Sequence, residues 1–428
     1  MTMQAREYPG VGDTLWSGRL PNGLSIYVVP RPGFQKKHAM LAVNYGGAMR
    51  SFTLDGARVD TPAGVAHYLE HKMFDLPEGN ALNILSARGA DANAYTGGDM
   101  TAYYFECDEG FEENLELLIK FVTTPYFTQE SVDKERGIIG QEIRMTEDDP
   151  SFVLYNSTMG ALFDHHPVRE SVAGTVESIA EITPQTLLDC HRAFYVPSNM
   201  VLAVCGDVEP ELVAETAGRL MPSQHVAGAV PDYGEREGLE PVKIRAEARM
   251  DVSEPMFIAA AKLCTELPKS EEASRLINVG SLAVRCMLGR SSAFYNDLYA
   301  EGLLRGDFFR DVSPLAGTLL FECGGASADP ERVFARLVDT LRDAAEHGID
   351  GETLERARRA DYGLTLRSLN DPASVCSVLA SSHFGGYGFY EGFDILAGVT
   401  ADDVSGFVRE YLKPERLVLS TVLPKERT

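Results

Sequence analysis

The sequence HYLEH, from His67 to His71, places two imidazoles four residues apart, with a carboxylate directly before the second. On a helix, positions i and i+4 share one face, so both rings can point at one tetrahedral zinc ion. Glu70 lies three residues after His67, which is close enough to that face to hold a metal-bound water. This arrangement therefore predicts a site for metal-assisted hydrolysis.

A pair of surface histidines is the simpler interpretation of so short a pattern. Against it, the flanking residues are apolar, and burying unpartnered imidazoles and a carboxylate beside them would be costly. Only 9 histidines occur among the 428 residues, and two of them fall in this stretch. We therefore favour a zinc site.

Two histidines leave a tetrahedral zinc ion short of a protein ligand. The predicted helix 129–146 carries Glu135 and Glu142, which are seven residues, or two turns, apart and so share one face. Either carboxylate could reach the metal while the other orients a histidine, and the spacing does not choose between them. A solvated acidic helix face is the alternative. Two histidines and a glutamate with one open position are typical of a catalytic zinc site.

Length, charge and cysteine usage limit the class of protein. A chain of 428 residues predicts two domains of about 200 residues each. The net charge of −24 argues against nucleic acid as a partner and weakly favours cationic peptides. Acidity that serves solubility alone is the simpler alternative. We expect no membrane contact, because neither a signal peptide nor a run of 18 apolar residues is visible. Seven cysteines without a CxxC pair favour free thiols and a cytoplasmic location.

The two halves of the chain repeat one pattern of helix, proline turn and buried strand. Residues 182–202 align without a gap with residues 399–419, at an offset of 217 positions. The same offset aligns 39–43 with 256–260. We therefore predict two homologous αβ domains related by duplication, over 13–225 and 241–428. The segment 226–240, rich in Gly, Pro and charge, is the predicted linker.

Alternating strands and helices predict an α+β fold, in which antiparallel sheets are packed by helices. Residues 24–30 and 39–45 are expected to form paired strands, and 92–95 and 101–106 a hairpin. Thr61 is the expected N-cap of the helix that carries HYLEH, with Pro62 at its first position. Further helices are predicted over 111–124 and 129–146.

Three segments resemble the insulinase/pitrilysin family of zinc peptidases, which carry the inverted H-x-x-E-H motif of inverzincins. They are VAHYLEHKMF at 65–74, DANAYTGGDMTAYYF at 91–105 and VDKERGIIGQEIRM at 132–145. The closest likeness is to short, two-domain bacterial members. The resemblance implies a chain that hydrolyses peptide bonds and forms half of a peptidase chamber.

The resemblance also implies a role for individual residues. His67, His71 and Glu142 would bind one zinc ion per chain, with Glu70 as general base and Glu135 behind a histidine. The strand formed by Ala92, Asn93, Ala94 and Tyr95 resembles the family's substrate-binding edge. An extended peptide would add there as a further strand, with Asn93 bonded near the cut. An ordinary hairpin is the alternative for this strand.

The second half lacks the metal-binding residues, because His67, Glu70 and His71 align with Val284, Met287 and Leu288. In the family, this half supplies an arginine, and a tyrosine seven residues later, which stabilise the tetrahedral intermediate. Here Tyr299 and Arg305 stand in that region in reversed order, and ordinary helix-end residues are the alternative. The resemblance therefore implies the zinc-bearing subunit of a heterodimer, with the arginine and tyrosine on a paralogous partner.

We expect a zinc endopeptidase that acts on small peptides. One alternative is a non-catalytic scaffold or assembly subunit of the same fold. Another is a metal-binding regulator in which Glu70 is incidental. The complete set of two histidines and two carboxylates argues against a scaffold, which has no need of a general base.

Overall fold

The computed structural model describes residues 2–224, 226–268 and 270–425. They form two compact units, each built on a largely antiparallel sheet packed by helices. The first unit comprises Met1–Ile143, Ser171–Tyr233 and Leu366–Phe389, and the second comprises Arg144–Glu170, Gly234–Thr365 and Tyr390–Thr428. The predicted α+β class is confirmed.

The first unit contains most of the strands. Its strands are β1 (Gln4–Tyr8), β2 (Asp13–Arg19), β3 (Ser25–Pro30), β4 (Lys37–Val43), β5 (Ser51–Leu54), β6 (Ala57–Asp60), β7 (Asp75–Leu76), β8 (Gly79–Asn80), β9 (Asp91–Thr96), β10 (Thr101–Cys107), β11 (Met200–Gly206) and β12 (Pro231–Asp232). Its helices are α1 (Val65–Met73), α2 (Ala81–Ala87), α3 (Phe111–Thr123), α4 (Gln129–Glu147, which continues into the second unit), α6 (Val176–Ala180), α7 (Pro184–Phe194), α8 (Pro210–Leu220) and α13 (Pro372–Phe384).

The second unit has fewer strands and longer helices. Its strands are β13 (Arg245–Met250), β14 (Met256–Cys264), β15 (Arg305–Leu315), β16 (Thr318–Ala326) and β17 (Val418–Pro424). Its helices are α5 (Pro150–Leu162), α9 (Glu271–Leu288), α10 (Ala293–Ala300), α11 (Pro330–His347), α12 (Gly351–Ser368), α14 (Glu391–Gly398) and α15 (Ala401–Tyr411).

Both main sheets share one topology. The seven-stranded sheet has the order β1-β2-β3-β11-β4-β10-β9, and the five-stranded sheet has the order β13-β17-β14-β16-β15. In each, one pair is parallel, β3 with β11 and β13 with β17, and the other neighbours are antiparallel. In order across the sheet, β3, β11, β4, β10 and β9 of the first unit thus match β13, β17, β14, β16 and β15 of the second. A duplication requires such a match.

The aligned segments adopt the same local structure in both units. Helices α7 and α15 begin and end at the predicted offset, and each is followed by a 3₁₀ turn and a central strand. Their N-caps are the aligned Thr183 and Thr400, whose hydroxyl oxygens accept from the backbone N–H of Thr186 and Asp403. The predicted repeat is therefore confirmed at the level of capping chemistry.

The compact units exchange two helices relative to the order of the chain. Helix α5, from the first half of the sequence, packs on β13, β14 and β17, while α13, from the second half, packs on β4 and β11. Each buries apolar side chains there, such as Leu154 and Met159 in α5 and Val375 and Leu379 in α13. The compact units are defined by contacts and are discontinuous along the chain, so they do not test the predicted contiguous domains. The ranges 13–225 and 241–428, with the linker 226–240, stay a prediction.

One predicted strand pairing is wrong. Strands β3 and β4 were expected to pair directly, but β11 lies between them, parallel to β3 and antiparallel to β4. All seven residues of β11 are buried, so this apolar strand belongs in the centre of the sheet despite its distance along the chain. The hairpin of β9 and β10 and the helices α3 and α4 are confirmed.

The predicted start of the HYLEH helix is also wrong. Helix α1 begins at Val65, and its N-cap is Gly64 with φ of 94° rather than Thr61. Thr61 instead donates its hydroxyl to the carbonyl of Arg50 at 2.9 Å. A side chain at position 64 would also lie 2.6 Å from the carbonyl oxygen of Ala173, so glycine is required there on two counts.

Two further observations concern the cysteines and the helices of the described residues. All seven cysteines are free thiols, and six of them are buried. Within residues 2–224, 226–268 and 270–425, no helix has both the length and the apolar character needed to cross a bilayer.

A buried ion pair holds the segment that follows α5 in the second unit. Glu237 is 6% exposed and accepts from the backbone N–H groups of Asp164, His165 and His166 at 2.7–3.0 Å. Its other oxygen lies 3.4 Å from Nζ of the buried Lys262. Burial raises the pKa of Glu237, but the three N–H donors and Lys262 outweigh it and lower this pKa to about 2.

We expect Glu237→Gln to lower the free energy of unfolding by about 3 kcal/mol at pH 7, because Lys262 stays buried without its counter-charge. Since the pKa of Glu237 is lower in the folded than in the unfolded chain, its contribution is full above pH 4.5 and falls as the pH approaches 2. The difference between wild type and variant should therefore shrink on acidification, measured by urea unfolding at several pH values. Glu240→Gln, at an exposed pair with Arg416, is the control. A loss independent of pH would contradict the assignment.

Candidate metal centre

Helix α1 presents an apolar face to the core and a polar face to the site. The buried residues of the first face include Val65, Ala66, Leu69 and Met73. On the second face, the rings of His67 and His71 lie 4.7 Å apart between centroids. The i, i+4 spacing thus brings the two imidazoles together as the sequence predicts.

Two buried polar side chains of α1 hold the start of α4. Tyr68 donates its hydroxyl to the carbonyl of Val132, and Lys72, which is fully buried, contacts the carbonyl of Ser131 at 3.4 Å. Lys72 also forms an ion pair with Asp75. These contacts fix the first turn of α4. The direction of the helix axis then determines the positions of Glu135, one turn later, and Glu142, three turns later.

Glu142 on α4 reaches both histidines. Its Oε1 lies 3.4 Å from Nε2 of His67 and its Oε2 lies 3.5 Å from Nε2 of His71. One ligand atom from each of the three residues lies within 4.8 Å of the others. Among the described residues, this is the one group of three such side chains close enough to hold a metal ion.

The donor set and its spacing fit zinc. Zinc–nitrogen and zinc–oxygen bonds of about 2.0–2.1 Å in a tetrahedron place neighbouring ligand atoms about 3.4 Å apart, close to the two distances observed. Two neutral imidazoles and a carboxylate are the ligands of many catalytic zinc sites. Nδ1 of His67 is buried and has no hydrogen-bond partner among the described residues, which leaves Nε2 as the nitrogen that faces Glu142.

Glu135 lies behind His71. Its Oε1 is 3.0 Å from Nδ1 of His71, so the ring is held on one side by Glu135 while Nε2 faces Glu142. Burial lowers the pKa of His71, but the hydrogen bond with Glu135 and the charges of Glu70 and Glu142 outweigh it and raise this pKa. The hydrogen bond with His67 lowers the pKa of Glu142. The geometry therefore separates the two carboxylates that spacing left equivalent.

Glu70 lies beside the group and is 7% exposed. Its Oε2 accepts a hydrogen bond of 2.6 Å from the hydroxyl of Thr96, at the end of β9. Sequence reasoning missed Thr96. The alternation of β9 contained the signal, because Thr96 shares a strand face with Ala92 and Ala94, which pack on the core.

Strand β9 is one of the two edge strands of the seven-stranded sheet and pairs with β10. Ala92 and Ala94 face inward, while Asn93 and Tyr95 lie on the opposite face. The side-chain oxygen of Asn93 accepts from the backbone N–H of Ala94 at 2.9 Å. The predicted substrate-binding residues therefore stand on a sheet edge, and their role stays a prediction.

Tyr299 and Arg305 make local contacts within the second unit. Tyr299 is 63% exposed at the end of α10, and its ring stacks on Tyr295 with 6.1 Å between centroids. Nε of Arg305 donates to the carbonyl of Gly302 at 3.3 Å and lies 3.7 Å from Glu254. These are local contacts, of the kind expected at the end of a helix and the start of a strand. A role of Tyr299 and Arg305 in catalysis stays a prediction.

Comparison with known proteins agrees with the site. Residues 54–176 match the family described as insulinase (peptidase family M16), and residues 181–360 match the peptidase M16 inactive domain. The chain belongs to peptidase family M16. The resemblance read from the sequence is confirmed, and the second M16 domain is the one whose aligned residues Val284, Met287 and Leu288 are buried and apolar.

Several other proteins match over nearly the whole chain. YmfH of Bacillus subtilis, named an uncharacterized zinc protease, is 34% identical over 98% of this chain and 99% of its own length. An M16-like peptidase of Alicyclobacillus acidocaldarius has a crystal structure with a TM-score of 0.91 and 31% identity, covering 99% of each chain. A protease of Helicobacter pylori, with a TM-score of 0.80 over 95% and 99% of the two chains, is 20% identical and supports the fold alone.

We expect the chain to bind one zinc ion through His67, His71 and Glu142, measured by equilibrium dialysis with elemental analysis. His67→Ala and Glu142→Gln should weaken binding by about a hundredfold or more, because each removes a ligand. Glu135→Gln should weaken it by about 10- to 100-fold, as loss of a group that orients a ligand does. Glu130→Gln, at an exposed position of the same helix, is the matched control. Unchanged affinity in Glu142→Gln would rule out Glu142 as a ligand.

Proposed function

We propose that this chain is the zinc-bearing subunit of a heterodimeric endopeptidase that cleaves small peptides. The observation that carries the proposal is the convergence of His67, His71 and Glu142 beside the buried carboxylate of Glu70. The names of the M16 relatives, which include zinc proteases, support it. A scaffold role would leave a buried carboxylate next to a complete ligand set without a purpose.

The residues of this chain divide the chemistry between them. Zinc held by His67, His71 and Glu142 would supply Lewis acidity for the scissile carbonyl and for a water molecule. Glu70 accepts the proton of the attacking water and then gives it to the leaving amine. Glu135 keeps the ring of His71 in the orientation that directs Nε2 toward Glu142. Each role thus corresponds to one contact of the site.

The sheet edge at β9 suits an extended peptide. A peptide that adds along Ala92–Tyr95 would bond to the main chain and so depend little on its sequence. Most strands of a folded protein are already paired on both sides, which favours small or unstructured peptides as substrates. The net charge of −24 favours cationic ones.

The need for a partner is inferred from the second unit. Tyr299 and Arg305 take the region where the family has its arginine and tyrosine, but in reversed order and with local contacts. The matching family description for this half is an inactive domain. A paralogous chain that retains the arginine and tyrosine would supply the groups that stabilise the tetrahedral intermediate.

Glu70→Gln should lower the rate of peptide cleavage by about 10²- to 10⁴-fold, because it removes the general base while keeping the shape of the side chain. Zinc content should stay at the wild-type level, since Glu70 is not a ligand. A fluorogenic peptide assay with parallel zinc analysis measures both. Cleavage at the wild-type rate would disprove the general-base assignment, and loss of zinc would assign Glu70 a structural role instead.

The partner requirement is tested by reconstitution. We expect little cleavage by the purified chain alone and at least about a tenfold increase when a paralogous chain with the arginine and tyrosine is added. The same partner mixed with the Glu70→Gln variant should stay inactive, which shows that the partner does not cleave by itself. Full activity of the isolated chain would contradict the heterodimer.

A further inference from the structure

We propose that Thr96 is a positioning residue that holds the Glu70 carboxylate and links it to the peptide-binding strand. This inference rests on the proposed function, because it concerns the same site. Thr96 is the last residue of β9, and its hydroxyl donates to Oε2 of Glu70 at 2.6 Å. The bond joins the general base on α1 to the edge strand of the sheet.

The proton of the Thr96 hydroxyl is directed to Glu70 by its surroundings. The nearest competing hydroxyl is that of the fully buried Thr101, at 3.3 Å. Thr101 gives its own proton to the carbonyl of Tyr45 at 2.8 Å, so it has no proton left for Thr96. Between a neutral acceptor at 3.3 Å and a carboxylate at 2.6 Å, the shorter, charge-assisted bond is favoured.

Thr101 also contacts a buried pair of tyrosines. The hydroxyls of Tyr103 and Tyr195 lie 2.8 Å apart, and Tyr195 also interacts with the Thr101 hydroxyl. Thr101 and Thr96 are directly opposite each other in the β10–β9 ladder. The hydroxyl that positions Glu70 therefore lies beside a buried, hydrogen-bonded group of the sheet.

Fixing one oxygen of Glu70 determines the direction of the other. The terminal torsion of a glutamate is broad and has no sharp minimum, so packing alone leaves the plane of the carboxylate undefined. The bond from Thr96 to Oε2 selects one plane and leaves Oε1 without that donor. Oε1 is then the oxygen available to take the proton of the attacking water.

The position of Thr96 also joins substrate binding to this alignment. A peptide that adds along β9 would bond to the backbone of the strand whose last residue is Thr96. A peptide bound along β9 would fix the position of this strand and of the Thr96 hydroxyl at its end. That hydroxyl in turn orients the carboxylate of Glu70. We therefore expect Thr96 to affect the chemical step more than the binding of peptide.

The first test compares steady-state kinetics of the active, reconstituted enzyme. Thr96→Val, which keeps the shape but loses the hydroxyl, should lower kcat by about 10- to 100-fold with KM within about twofold. Thr96→Ser, which keeps the hydroxyl, should recover most of kcat. Thr53→Val, at an exposed strand position in the same unit, is the matched control and should behave as wild type. Equal loss in Thr96→Val and Thr96→Ser would overturn the inference.

The second test does not depend on activity. In the zinc-loaded full-length chain, thermal unfolding of Thr96→Val, Glu70→Ala and the double variant forms a double-mutant cycle. The double variant should lose less Tm than the sum of the two single losses, by about 2–4 °C. Additive losses would show that the two side chains do not interact, and would overturn the inference.

The two proposals can fail separately. If wild type cleaves peptides and Glu70→Gln does not, the proposed function holds, and kinetics of Thr96→Val equal to wild type refute the positioning role alone. If Glu70→Gln cleaves as well as wild type, the proposed function fails. A non-additive cycle would then show that Thr96 and Glu70 interact, but not that the interaction positions a general base.

Discussion

Two hydrogen bonds from buried side chains of α1 to the first turn of α4 determine the geometry of the metal centre. Tyr68 and Lys72 lie on the buried side of the same helix whose other side carries the histidines. They hold the backbone at Ser131 and Val132, and the helix that follows places Glu135 beside His71 and Glu142 beside both histidines. The bond from Tyr68 is buried and the bond from Lys72 is partly buried, so loss of either donor weakens the hold of α1 on the first turn of α4.

The duplication shows how one fold carries two different interiors. In the first unit the aligned helix presents two histidines and a glutamate, and in the second the same positions are Val284, Met287 and Leu288, all buried. The strand order and the threonine caps of α7 and α15 are the same in both. The second unit therefore keeps the same architecture without the metal-binding residues, which occur in only one of the two copies.

The exchange of α5 and α13 explains why the compact units differ from contiguous halves of the sequence. Each helix buries its apolar residues on the sheet of the other half's unit. The linker predicted over 226–240 rests only on the glycine, proline and charge content of that segment, whereas burial decides which sheet a helix covers. The same reason accounts for β11. Its seven buried residues place it between β3 and β4, although β11 is far from both of these strands along the chain.

By itself, the sequence determined what depends on short separations along the chain. These features are the shared face of His67 and His71, the β9–β10 hairpin, the repeat at a fixed offset and the M16 resemblance. Tertiary structure alone decided what depends on contacts between distant segments. Spacing made Glu135 and Glu142 equivalent, and only the packing of α1 on α4 put Glu142 on both Nε2 atoms and Glu135 on Nδ1 of His71. Thr96 likewise meets Glu70 only because a sheet strand and a helix pack together. The alternation along β9 predicts which face Thr96 lies on, but not which side chain it meets there.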